Sequence, residues 1–480
     1  MQLIRSVARE RRLALLVAGC FFMEMLDGTI VITAAPSIAD SLGVASTSIS
    51  LVISAYLVTL AVLIPASGWV AARWGARPVF LAAIGIFTLA SVGCAASTSL
   101  TELVAMRILQ GVGGALMVPV GRQVVLAGTA KEELMQVMSF LIWPGLVAPV
   151  FAPLVGGLIT DYASWHWIFL INVPLGALAF AVALRLIESP PMRRPPRLDR
   201  LGVLFTCVGL GGLTYAADLV SRPSSRWVVA ALIGVAAAAF LFAAIRHLLV
   251  TEHPLVNLRT LRIGTFRAAI GGSAIFWLVV GAVPFLLPLL FQEAFGWSPV
   301  KSGAVVLLLF AGNVGIKPAT TFLYGRFGFR AMIVTATAGL AASLVALAFV
   351  DAGTWLVVIG LFVLIGGIAR SIGLTGYSTL AFSEVPEAQM PDANIFQVTT
   401  QQLCSGLGAA AGAIALRIGG QVDGVMPGAT SVQDPFSVAF LILAVICLVA
   451  TVGALRLDRT AGDVLRGPYR AKRAPEEATG

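Results

Sequence analysis

Charge is what this chain has least of. Only 11% of its 480 residues are Asp, Glu, Lys or Arg, against the ~25% usual for soluble domains. That scarcity excludes a soluble globular enzyme, a disordered chain and a coiled coil. Cysteine is sparse too. Cys20, Cys94, Cys207, Cys404 and Cys447 all lie in apolar stretches without CxxC spacing, which indicates neither a disulfide framework nor a metal site. The three histidines, His166, His247 and His253, fall in loops or at the ends of apolar runs, so no intramembrane pair exists to hold a haem. No Gly-Lys dipeptide occurs, which excludes a P-loop and direct ATP hydrolysis. No nucleophile–His–acid set stands out. Neither enzymatic activity, a cofactor nor a metal is expected.

What is there is apolar. Hydrophobic residues make up 58% of the chain, of the order needed for fourteen spans of ~20 residues each. Fourteen apolar runs are read, the first at 13–33 and the last at 436–455, each long enough to cross a core of ~30 Å at ~1.5 Å per residue. Arg11-Arg12 before an apolar run looks like the start of a signal peptide, but Glu24 and Asp27 interrupt the run and no small-residue cleavage site follows. A retained first span is expected. The net charge of +9 raises the question of nucleic acid, but the basic residues sit between apolar runs and not on one face. With the N-terminus cytoplasmic, 25 of the 32 basic residues fall on the cytoplasmic side and four on the other. Fourteen spans with both termini cytoplasmic is the expected topology.

An internal repeat is also legible. Pro65, Arg73, Gly75 and Arg77 recur as Pro318, Arg326, Gly328 and Arg330, each displaced by 253 positions. Both copies join the second and third helices of a six-helix set. The expected fold is therefore an all-α polytopic membrane protein with two parallel six-helix bundles and a two-helix insertion. Its predicted parts are an N-terminal bundle at 1–187, a linker with two inserted helices at 188–262, a C-terminal bundle at 263–456 and a basic cytoplasmic tail at 457–480.

Ionisable groups in hydrocarbon are expensive and functional by default. The deep carboxylates are Glu24 and Asp27, which share a helix face at i and i+3, with Arg107 of the fourth span at a depth comparable to Asp27. Two carboxylates and a guanidinium lining one cavity make a proton switch; a static ion pair that fixes helix packing is the other reading. Lys317 and Arg370, towards the cytoplasmic ends of their spans, are expected to snorkel to the headgroups. Asp218 lies near the outer end of span seven, where it is wet. In span five, Ala148, Ala152 and Gly156 form a small-residue stripe at i+4 for close helix approach. Pro149 and Pro153, with Gly145 and Gly157 nearby, permit bending, which suits a gate.

These residues carry a family resemblance over nearly the whole chain. Leu26-Asp27-Gly28-Thr29-Ile30-Val31 with Pro36 closing the run, Gly68 through Arg77, Arg107-Ile108-Leu109-Gln110-Gly111, Gly145 through Gly157 and Trp165 through Pro174 are all similar to motifs of the major facilitator superfamily. The resemblance is to its fourteen-helix drug:proton antiporters of the EmrB/QacA type. It implies proton-coupled export of hydrophobic, often cationic, compounds by alternating access in a bacterial inner membrane. Asp27 is then the proton carrier, Glu24 the second carboxylate contacting proton or cationic substrate, and Arg107 the switch partner. Gln110 contacts substrate, orients Arg107 or simply packs, while Gln401 and Gln402 are candidates for the cavity wall or for helix contacts. Gly68, Arg73, Gly75, Arg77, Arg326 and Arg330 belong to the conformational motifs. Partners are the bilayer, small substrates and protons, with an envelope-spanning efflux partner left open. Export of a specific metabolite, peptide or siderophore is the alternative, ahead of a channel or a non-transporting membrane protein. Two departures from the family pattern stand out. Ala72 occupies a place usually held by an acid, for which Glu133, Glu384 or Glu387 is the expected substitute, and Ala148 and Ala152 stand where Gly is usual.

Overall fold

A computed structural model describes residues 2–44, 46–129, 133–187, 198–221, 227–252, 254–423, 434–458 and 460–463. Most of the expected linker and of the basic tail lies outside the described residues. The helices are α1 (Gln2–Leu42), α2 (Ser50–Leu63), α3 (Ser67–Trp74), α4 (Ala76–Ala96), α5 (Leu100–Gly128), α6 (Leu134–Tyr162), α7 (Trp167–Leu170) and α8 (Asn172–Leu186). They continue as α9 (Arg200–Ser221), α10 (Trp227–Val250), α11 (Gly264–Leu289), α12 (Pro299–Gly315), α13 (Lys317–Phe327), α14 (Phe329–Ala348), α15 (Leu356–Leu380), α16 (Met390–Asp423) and α17 (Asp434–Leu455). In hydrocarbon every backbone polar group must be satisfied within its own segment, and helices do that. Among the described residues 12 helices are long and apolar enough to cross a membrane, or up to 13 if the bent pair α12 and α13 is one span. The chain is an all-helical, multi-span membrane protein.

The first apolar span ends at Ala35, just before Pro36. α1 continues through it to Leu42, as membrane helices tolerate an interior proline when neighbours re-satisfy the freed carbonyl. The expected tenth span is not straight, since α12 and α13 meet at 52°. The repeat sets a proline near the helix interruption in both copies, though only the second copy bends by more than 40°. Pro65 sits in the 3-10 turn between α2 and α3, and Pro318 in the first turn of α13, so each copy breaks its helix where proline removes a donor. Each short helix then ends on a glycine of positive φ, Gly75 at 88° and Gly328 at 82°, a conformation that L side chains rarely adopt. The same residues at the same spacing thus build a helix interruption, a short helix and a glycine turn twice, but the sharp bend only in the second copy.

The chain forms two compact units. The first comprises Met1–Thr129, Phe140–Arg259 and Glu387–Thr399, the second Ala130–Ser139, Thr260–Pro386 and Thr400–Gly480. The hairpin of α9 and α10 belongs to the first unit. Gly209 lies close to Leu241 across the hairpin, a Cβ on Gly211 would stand 2.7 Å from the Val62 side chain on α2, and the Cys207 thiol donates to the Val62 carbonyl at 3.2 Å. Asp199 fastens the hairpin's base, accepting the Gly202 amide at 2.8 Å and lying 2.7 Å from His247 Nε2. At the end of the first unit where α1 finishes, Leu26, Ile30, Ala34, Val52, Ala148 and Phe169 form a buried apolar cluster. In the second unit α12 and α15 touch backbone to backbone. A Cβ on Gly367 would fall 1.9 Å from the Leu309 carbonyl oxygen, and one on Gly312 2.3 Å from that of Leu364.

Candidate functional site

The first unit brings Asp27 and Arg107 together, as their matching depths suggested. Arg107 Nη1 meets Asp27 Oδ2 at 2.5 Å, and both side chains are fully buried. The pair is the centre of a larger net. Gln110, one turn beyond Arg107 on α5, donates through Nε2 to Asp27 Oδ1 at 2.8 Å and to Ser91 Oγ at 2.8 Å. Its Oε1 accepts from Arg107 Nη1 at 2.8 Å and from the Cys94 thiol at 3.6 Å. An amide has two donors and one oxygen with two lone pairs, so Gln110 is fully used in orienting the pair. Asn172, the first residue of α8, donates to Asp27 Oδ1 at 2.7 Å, while Arg107 Nε reaches the Val52 carbonyl at 3.4 Å.

Asp27 therefore accepts from three donors and donates to none, the pattern of an ionised carboxylate. Its partners come from α5 and α8, with Ser91 of α4 and Val52 of α2 completing the net around α1. Five helices are tied at one charge. The guanidinium also lies flat against an aromatic ring, its Cζ 4.1 Å from the centroid of Tyr56 and 5.9 Å from that of Phe169. Such contacts stabilise a desolvated cation by up to ~2 kcal/mol.

Glu24 lies one turn before Asp27 on α1. It is buried, at 4% exposure, but outside the net, and its Oε2 has no partner. It borders the space left at Gly114, where a Cβ would stand 3.7 Å from the Glu24 carboxyl carbon and 3.3 Å from Tyr56 Oη. Tyr56 thus touches Arg107 with its ring while its hydroxyl lies on the Glu24 side. Three buried groups here are unpartnered: Glu24 Oε2, Tyr56 Oη and Arg107 Nη2.

The sequence reading missed Tyr56 and Ser91 and gave Asn172 no role of its own. Neutral polar residues are unremarkable in an apolar run; only Asn172, inside the motif at 165–174, carried a signal. Gln401 and Gln402 lie half-buried on α16 in the second unit. The stripe of α6 packs on α1 as expected: Ala148 and Ala152 are buried, and a Cβ on Gly156 would meet Ile30 at 3.0 Å and Thr33 at 3.2 Å. A Cβ on Gly157 meets nothing within 4 Å. The surroundings of Gly145 and the side chains of Pro149 and Pro153 lie outside the described residues.

Among the conformational residues, Gly68 is overlain by Ile395 within the first unit. Arg73 ends α3, and Arg77 Nη2 donates to the Leu184 carbonyl of α8 at 2.9 Å. In the second copy Arg326 ends α13 and Arg330 lies in the first turn of α14. Glu384 accepts from Thr265 at 2.8 Å in the second unit. Beside Ala72 lies a cavity of about 300 Å³ in the first unit, bordered also by Asp199, Glu252 and Asp392. Acids not foreseen from the sequence thus surround the place where the family acid is missing. Arg370 corrects another expectation: it is buried at 8% exposure, its Cζ 5.7 Å from the Phe310 ring centroid, and does not snorkel. Lys317 is half-buried and donates to Thr375 Oγ1 at 2.7 Å.

The sequence matches the family described as Major Facilitator Superfamily over residues 17–409 and again over 269–478. It is 37% identical over 435 residues to "Putative multidrug resistance protein MdtD" of Salmonella paratyphi A, covering 90% of this chain and 91% of the relative. The protein of that name from Cronobacter sakazakii is 35% identical over 462 residues, 95% of this chain and 96% of the relative. Among solved structures, the proton:xylose symporter XylE bound to 6-bromo-6-deoxy-D-glucose superposes with a TM-score of 0.67 at 14% identity, over 97% of this chain and 99% of that one. The human organic anion transporter MFSD10 (TETRAN) gives 0.66 at 14% identity, over 93% and 99%. At that identity the likeness is one of fold.

Proposed function

We propose that this chain, which belongs to the Major Facilitator Superfamily, is a proton-coupled multidrug exporter that works by alternating access. The observation that carries this reading is the buried Asp27–Arg107 pair, at 2.5 Å, with Gln110 and Asn172 on the same carboxylate. Adding α6 to the candidate spans gives fourteen, the count of the EmrB/QacA-type antiporters, arranged as six, two and six with divisions at 1–187, 188–262, 263–456 and 457–480. The matched relatives are bacterial, which supports a cytoplasmic membrane, and the distribution of basic residues supports cytoplasmic termini. Small hydrophobic or cationic compounds and protons are the transported species.

The chemistry follows from the donors. A proton placed on Asp27 removes the negative charge that holds Arg107, and its O–H becomes a donor among donors. The net joining α1, α2, α4, α5 and α8 must then re-sort. Arg107 keeps the Gln110 oxygen and the Tyr56 ring, and its free Nη2 turns towards the open Glu24 oxygen past the Tyr56 hydroxyl. Glu24 then receives either the guanidinium charge or a cationic substrate, so the two carboxylates act in sequence and not as one pair. Return of the proton to solvent restores the Asp27–Arg107 pair. The closely packed α1–α6 contact at Gly156 and the glycine turns at Gly75 and Gly328 are the points about which such rearrangement is transmitted. The test is efflux from reconstituted vesicles across chemically varied dyes, with and without an imposed proton gradient. Proton-independent flux, or none for any dye, defeats the reading.

A further inference from the structure

Among the described residues the second unit holds two cations, Arg370 buried and Lys317 half-buried, with no carboxylate paired to either. No Asp or Glu occurs anywhere in α12, α13, α14 or α15, yet Arg370 is buried on α15 and Lys317 opens α13. The first unit shows what a buried guanidinium in this chain receives, namely Asp27. Arg370 receives nothing comparable: its Nε and Nη1 are both buried without a partner. An uncompensated buried charge is strongly destabilising and is retained in membrane helices where a pathway or ligand requires it.

A second orphan lies on α12, one turn from the Phe310 that neighbours Arg370. Asn313 is 1% exposed, and both its Oδ1 and its Nδ2 lack partners. The backbone contact at Gly312 sets Leu364 and Ile368 against this turn of α12. Phe310 thus lies near Arg370 and Lys317 against Thr375, with Asn313 one turn from Phe310 on α12, before the 52° bend into α13. One ring, one amide and two cations share a single seam within the second unit.

We infer that this seam is an anion site that takes the carboxylate of a small organic acid. The planar guanidinium fork matches a carboxylate in a bidentate manner. Lys317 supplies the second charge, and its partial exposure gives the site an opening. Asn313 Nδ2 donates to the carboxylate, and Phe310 provides an apolar wall for the attached group. The inference rests on the exporter reading and names a substrate class for it, organic acids or zwitterions beside cations.

The test is isothermal titration of the full chain, purified in neutral detergent, with salicylate. Sodium chloride and benzyltrimethylammonium at equal ionic strength are the controls. Saturable salicylate binding is expected, weakened at least about tenfold in Arg370→Gln and about tenfold in Lys317→Gln, with Arg370→Lys in between. Both Gln variants should remain monodisperse and at least as heat-stable without ligand as the parent chain, because each loses an unanswered charge. Absence of salicylate binding, or undiminished binding in Arg370→Gln and Lys317→Gln, overturns the site. Displacement of salicylate by phosphatidylglycerol in nanodiscs, but not by phosphatidylcholine, also overturns it, by assigning the seam to a lipid headgroup. Proton-driven efflux of ethidium without salicylate binding removes this inference and leaves the exporter reading intact. Salicylate binding in a chain that moves no dye against a proton gradient does the reverse.

Discussion

Replacing Asp27 by Asn tests the central net most directly, because an amide cannot satisfy the donors that converge there. Two of them, Gln110 Nε2 and Asn172 Nδ2, meet Oδ1, and the third, Arg107 Nη1, meets Oδ2. If the new amide oxygen stays with Gln110 and Asn172, its NH2 points at the guanidinium. If it turns to Arg107, its NH2 points at two other donors. Either way at least one donor–donor clash replaces a hydrogen bond, and a fully buried Arg107 loses its counter-charge. Removing one partner of a buried ion pair costs about 3–5 kcal/mol. Retention of one or two hydrogen bonds puts Asp27→Asn near the lower end. The fold should survive, with a lowered thermal midpoint in detergent, while uphill efflux driven by a pH gradient should vanish. Asp27→Asn combined with Arg107→Gln removes both charges and should recover about 2 kcal/mol of the stability, the coupling expected for residues in contact, without recovering efflux. Full pH-driven pumping by Asp27→Asn would falsify the proton-carrying role. Additive losses of stability in the double variant would refute the electrostatic account of the pair.

Four further outcomes follow from the geometry. Asn172→Ala removes a hydrogen bond to a buried charge, worth about 1.5–3 kcal/mol, and should slow efflux without abolishing it; an unchanged midpoint speaks against the assigned bond. Tyr56→Phe keeps the ring against Arg107 and deletes only the hydroxyl. It should preserve stability within about 1 kcal/mol yet lower the ratio of protons exchanged to substrate exported, read by simultaneous pH and dye fluorescence. Gly156→Leu forces a side chain into Ile30 and Thr33 and should destabilise by about 1–3 kcal/mol, measured by thermal unfolding; a neutral result means α6 stands away from α1. Ala72→Asp restores the family-typical acid but beside Asp199, Glu252 and Asp392. Like-charge repulsion should make it mildly destabilising, by about 1 kcal/mol or less, with the loss easing as salt is raised; a clear gain in stability counts against the crowded acid environment.

Much of this was legible because charge is so scarce. Asp27 and Arg107 stood out as ionisable residues at matching depth in long apolar runs, and burial left them few partners but each other. The 253-residue displacement was equally readable, since proline and glycine act on the backbone locally and gave the same glycine turn after a short helix in both copies. Ser91, Tyr56 and Asn172 were not readable as a set. Their roles depend on which helix faces meet, and no local pattern encodes that. Glu24 was legible in part: i, i+3 spacing puts it on the Asp27 face, but no spacing tells that its Oε2 stays without a partner. Arg370 was misread from depth alone. A long side chain near a helix end snorkels only if its face meets lipid, whereas the α12 contact turns this one inward.

The hairpin of α9 and α10 is fastened to α2 within the first unit. Whatever grips that hairpin from the side, an annular lipid or a neighbouring protein, takes hold of the first unit through α2. A fluorophore or crosslinker fixed there would report on that unit as a single rigid passenger. A bulky attachment should therefore brake the cycle by anchoring that unit, with the chemistry at Asp27 left untouched.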